Sequence, residues 1–139
     1  MDINVEERVE KARAYFDEGY NCCQSVVLAY CDVFNIDKES AARMSAPFGG
    51  GMGRLREVCG AVSGMTMLAG QIVPYTDPTN KAVLKENYAL VQNFAGQYRE
   101  ANGSIVCREL LAQGSKKTPC RELVAMAAGI VGKYLKDNK

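Results

Sequence analysis

The apolar positions of this chain recur at helical spacing in one segment after another, and no segment alternates apolar and polar residues as a half-buried strand would. Val5, Val9, Ala12 and Phe16 share one face of a first amphipathic helix, which the pattern ends near Gly19. Asn21 has the place and chemistry of an N-cap for a second helix over "CCQSVVLAYCDVF". "KESAARMSA" reads as a short third helix before Pro47, and the four glycines of "PFGGGMGR" forbid a regular element after it. The next helix starts near Cys59 and stops at Gly70, and "VPYTDPTN" is turn-rich. The longest helix spans roughly Asn80 to Ala101, with Leu84, Tyr88, Val91, Ala95 and Tyr98 marking its apolar face. After the break at "NGS", "IVCRELL" forms a short helix, "AQGSKKTP" a loop, and the chain from Cys120 to about Leu135 the last helix. The pattern predicts an all-α helical bundle of five to seven helices.

Composition narrows the class. A chain of 139 residues is the size of one domain, taken here as 1–139, and can bury one substantial core. Acidic and basic residues are mixed along the chain to a net charge of +1, with no basic face of the kind nucleic acid requires. "MDINVEERVEKARAYF" is charged and helical, so neither a secretory signal nor a membrane span is expected at the start, and the expected location is cytoplasmic.

Two counts then change the picture. The chain has no histidine and six cysteines. Without imidazole there is no Cys-His or Ser-His catalytic pair, no mixed Cys/His zinc site and no c-type haem attachment motif. In a reducing compartment permanent disulfides are rare, so this many cysteines points to metal, cluster or redox use, against the plainer role of buried thiols as small apolar groups.

Four of the six share a setting. Cys22 follows Asn21, Cys59 follows the glycine loop, Cys107 lies three residues after the cap candidate Ser104, and Cys120 follows the cap candidate Thr118 and Pro119 at the first helical position. All four are expected in first helical turns, where free N–H groups and the helix dipole favour thiolate. Each also begins the apolar stripe of its helix, so the four can converge at one end of the bundle. Cys31 reads as a core residue. Cys23, about 100° around the helix from Cys22, reads as core or as an auxiliary thiol. Gly60 and Gly64 lie on one helical face beside Ala61, which suits either close helix packing or approach to a cofactor. Met44, Met52, Met65 and Met67 read as core fillers. Asp32 and Glu57 read as surface charges. "FGGGMGR" lacks the lysine of a phosphate-binding loop, and Arg54 and Arg56 are expected to favour thiolate at Cys59.

The segments "GYNCCQSV", "FGGGMGRLREVCGAVSG", "CRELL" and "CRELV" resemble the redox-active family labelled C-GCAxxG-C-C, and the likeness covers nearly the whole chain. Its central motif falls on Cys59, Gly60, Ala61 and Gly64, and its other cysteines on Cys22, Cys107 and Cys120. The resemblance also extends to the cluster-binding part of split-Soret cytochromes, which implies four cysteines that hold an iron–sulfur cluster for electron transfer with a redox partner protein. Such a cluster need not survive purification. Three other readings stay open: metal-free thiol–disulfide chemistry at the same four cysteines, a structural zinc site of four thiolates, and a helical interaction module. The tyrosine-bearing faces also leave room for a homodimer.

Overall fold

The computed structural model describes residues 2–114 and 117–138. Among these residues the chain forms seven α-helices and no strand: α1 Val5–Asp17, α2 Cys22–Leu28, α3 Lys38–Ser45, α4 Gly60–Ile72, α5 Lys81–Asn102, α6 Cys107–Leu111 and α7 Cys120–Asp137. Ser115 and Lys116, in the loop predicted before α7, lie outside the described residues.

Local chemistry sets most of the starts. Asn4, Asn21, Asp37 and Asn80 each accept a backbone N–H at the head of α1, α2, α3 and α5. At Asn21 the bond is reciprocal, since Gln24 reaches back to the Asn21 N–H. α5 ends where Gly103 turns left-handed at φ 87°.

Three expectations need correction. α2 ends at Leu28 rather than running to Phe34: Arg8 Nη1 donates to the Ala29 carbonyl at 3.1 Å and to Asp32 Oδ1 at 2.6 Å, and turns follow as far as Asn35. An apolar run looks alike in a helix and in buried turns, so the pattern could not see this end. On α5 the buried residues are Leu90, Phe94 and Tyr98, while Tyr88 is 57% exposed. The most deeply buried row is therefore i, i+4, i+8; of the predicted face Tyr98 lies in it, Val91 and Ala95 pack beside it partly buried, and Tyr88 points outward. Met44 and Met52 are exposed, leaving only Met65 fully in the core.

Packing then joins the helices. α1 lies on α7, α2 on α4, and α7 also touches α2, α4 and α5. The main core unites Ala12, Val26, Tyr30, Val62, Met65, Leu68, Phe94, Tyr98, Val124 and Val131. A second cluster gathers Cys23, Val27, Leu28, Cys31 and Ala41. Gly64 makes the α2–α4 approach possible, because a Cβ there would lie 2.8 Å from Val26 Cβ and 3.1 Å from the Cys23 carbonyl. No helix among the described residues is long and apolar enough to cross a membrane.

Candidate redox centre

Cys22, Cys107 and Cys120 are the first residues of α2, α6 and α7, and Cys59 is the N-cap of α4. Two caps differ from expectation. Val106, not Ser104, precedes α6, and Pro119 sits at the cap of α7 rather than in its first turn. The reason at Val106 is tertiary. Residues 56–59 run against 105–108 through an antiparallel bridge between Val58 and Val106, with Cys59 N–H on the Ile105 carbonyl at 2.8 Å and Cys107 N–H on the Glu57 carbonyl at 2.6 Å. Arg108 and Glu57 close the same pairing as a salt bridge. This short ladder ties two cysteines distant in sequence to one another. Glu57 and Asp32 thus lie at the surface as expected, but each carries an ion-pair partner.

The glycine loop brings the backbone in from another side. Gly50, Gly51, Met52, Gly53 and Arg54 all have positive φ, between 57° and 72°, forming a short left-handed stretch. Each non-glycine residue there costs about 1–2 kcal/mol, and such strain persists only where surrounding contacts hold it. Here the Glu57 N–H holds the Gly51 carbonyl at 3.0 Å, and Gly51 sits against Cys107.

All four cysteines line one cavity of about 50 Å³, together with Gly50, Gly51, Gly60, Arg56, Leu110, Leu111 and Leu123. Cys59 is buried and the other three half-buried, and none forms a disulfide. Of the three small residues assigned by sequence to a cofactor, Gly60 lines this cavity; Ala61 is fully buried in the core and Gly64 faces Val26. Cys23 and Cys31 lie in the second cluster, with the Cys23 sulfur 3.7 Å from Met67 Sδ. Burial pushes the Cys23 thiol up to about 12, so it stays protonated.

The four thiols differ in charge. Cys120 is held below the ordinary thiol value, first by the Cys22 thiol turned toward it, then by the positive charges of Lys117 and Arg56. Cys22 is correspondingly pushed up, by that same interaction and by burial. Burial raises Cys59, while the Tyr98 hydroxyl and the backbone N–H groups of Ala61 and Val62 pull the other way. Arg56 Nη1 reaches Cys107 Sγ at 3.7 Å. The Tyr98 hydroxyl lies 3.2 Å from Cys59 Sγ. Sequence reasoning placed Tyr98 only on an apolar face and carried no signal that its hydroxyl meets a cysteine. Among the described residues no three cysteine or carboxylate side chains are gathered closely enough to hold a metal ion.

The helical bundle thus brings four cysteines from four helices to one cavity, with a guanidinium on its wall. The family model described as "Putative redox-active protein (C_GCAxxG_C_C)" matches residues 20–134, and the chain belongs to that family. No curated protein and no solved structure matches it.

Proposed function

We propose that the cavity is a redox centre that takes up an iron–sulfur cluster through Cys22, Cys59, Cys107 and Cys120 and exchanges electrons with a partner protein. One observation carries this reading: four cysteines far apart in the sequence, each at the start of a different helix, line the same cavity. The donor set fits such a group. All four side chains are soft sulfur, no carboxylate lines the cavity, and Gly50, Gly51 and Gly60 leave backbone where a Cβ would press on Arg54, Cys107 and Cys22. A cluster spans several metal atoms, so its four sulfur ligands stand farther apart than those around a single ion.

When bound, the cluster supplies a one-electron couple. The rest is the work of the chain. Arg56 lies on the wall and offsets negative charge at Cys107 and Cys120. The start of the 18-residue α7 adds partial positive charge at Cys120. Leu110, Leu111 and Leu123 give the cavity an apolar wall, where such interactions are stronger than in water.

A second reading is favoured by the Cys22–Cys120 pair. Cys120, as thiolate, attacks a partner's disulfide and releases one partner thiolate. Cys22 then loses its proton and attacks Cys120 Sγ, releasing the second partner thiol and leaving a Cys22–Cys120 disulfide, so two electrons pass to the partner. Anaerobic reconstitution with iron and sulfide, followed by metal and sulfide analysis and a visible spectrum, tests the first reading. The expected result is a chromophore that is lost when any one of the four cysteines is changed to serine. No iron uptake, with a Cys22–Cys120 disulfide found on oxidation, would leave the second.

A further inference from the structure

The core holds two fully buried tyrosines, and they are satisfied differently. Tyr30 is 0% exposed and donates its hydroxyl to the Ala128 carbonyl at 2.6 Å, a strong backbone acceptor. Tyr98 is also 0% exposed, but among the described residues its hydroxyl meets only the Cys59 sulfur, at 3.2 Å. A buried phenol needs a partner, and a neutral thiol is a weak one, poor as both donor and acceptor. One turn earlier on α5, Phe94 fills the same core at 1% exposure with no hydroxyl. Packing alone is therefore served by phenylalanine on this face. The hydroxyl at Tyr98 forms a strong bond only when the sulfur opposite carries negative charge, since hydrogen bonds to ionised groups are about twice as strong as neutral ones.

We propose that Tyr98 is a positioning residue of the redox centre: its hydroxyl donates to Cys59 Sγ, fixes that sulfur at the cavity wall and stabilises the electron-rich form of the centre. This deepens the redox reading above and rests on it. Geometry supports the role. Cys59 is held from three directions: its own N–H is tied to the Ile105 carbonyl at 2.8 Å, Tyr98 caps its sulfur, and α4 begins directly after it. Cys59 as a residue is 5% exposed and meets solvent only through the cavity, so the phenol is the donor placed against its sulfur. The charged and titratable groups around this pair are Cys22, Cys107, Cys120 and Arg56, all on the cavity wall.

In a cluster held by the four cysteines, adding an electron raises the negative charge on the ligating sulfurs, and a donor aimed at one of them, Cys59, favours the reduced state. Removing the donor makes the centre harder to reduce.

The test compares Tyr98→Phe with Tyr30→Phe in the whole chain, each checked for retained helix content and cooperative melting. The first readout is the midpoint potential of the reconstituted cluster. Tyr98→Phe is expected to lower the reduction equilibrium constant about tenfold, which is about 59 mV for a one-electron centre. Tyr30→Phe is expected to lower the melting temperature and leave the potential in place. The second readout is the rate at which Cys59 is modified by methyl methanethiosulfonate at one neutral pH, followed by peptide mass spectrometry; Tyr98→Phe is expected to slow it about threefold, a tenfold smaller thiolate fraction being partly offset by a more nucleophilic thiolate. A wild-type chain with no reversible couple overturns the redox reading alone, and the modification rate then decides Tyr98. A folded Tyr98→Phe chain with unchanged potential, or with unchanged Cys59 reactivity where no couple exists, overturns the proposal.

Discussion

Gly51 and Cys107 meet so closely that a Cβ on the glycine would lie 2.8 Å from the cysteine Cβ and 2.8 Å from the Glu57 backbone nitrogen. Gly51 is also left-handed, at φ 72°. Gly51→Ala therefore combines αL strain of about 1–2 kcal/mol with a clash that only backbone movement relieves. The expected outcome is a loss of roughly 2–5 kcal/mol by denaturant unfolding, the sum of that strain and about 1–3 kcal/mol of overpacking. Iron uptake should fall more steeply than stability, because the displaced atoms are those that hold Cys107. Wild-type stability in Gly51→Ala would show that the loop does not press on α6.

Gly64 sets the spacing of α2 and α4 in the same way, against Val26. In Gly64→Ala the helix-propensity gain of about 1 kcal/mol is outweighed by overpacking of about 1–3 kcal/mol. A lower melting temperature is expected. Val26→Ala should restore part of it, so the double variant is less destabilised than the two single effects added. Strict additivity would count against the contact.

Cys120 has a native value lowered to about 6 from an unfolded value of 9.0. A depressed acid adds stability that is complete above pH 9 and is lost as pH falls through about 6. Cys22, Cys23 and Cys59 are raised, so their contributions are complete below 9.0 and fade as pH rises beyond it. In the reduced, metal-free protein, iodoacetamide should label Cys120 first, with a rate midpoint near pH 6. Cys22→Ala removes the leading cause of the shift and should move that midpoint upward. Equal labelling of all four cysteines across pH 5–9 would contradict the asymmetry described here.

Cys23 and Cys31, at 0% and 6% exposure, belong to the second apolar cluster and not to the cavity. Replacing either with alanine should cost on the order of 1 kcal/mol, as a small core truncation does. Iron and sulfide uptake should be unchanged. Loss of the chromophore in Cys31→Ala would mean that the cysteines have been wrongly divided.

What the sequence determined by itself is what short-range physics controls. Helix type follows from apolar spacing within a few residues, and the starts at Asn21 and Asn80 follow from side chains that reach backbone donors two or three residues on. The four candidate cysteines could be picked out because each stands at the beginning of a helix, a property of its immediate neighbours. What only the tertiary structure decided involves partners distant along the chain. The 56–59 against 105–108 pairing displaced the Ser104 cap to Val106, and Arg8, from α1, marks the end of α2. Tyr98 met Cys59 across 39 positions, and Arg56 met Cys107 across 51. Such contacts depend on how whole helices pack, and packing is chosen by summed burial rather than by any local signal, so no stretch of a few residues records it.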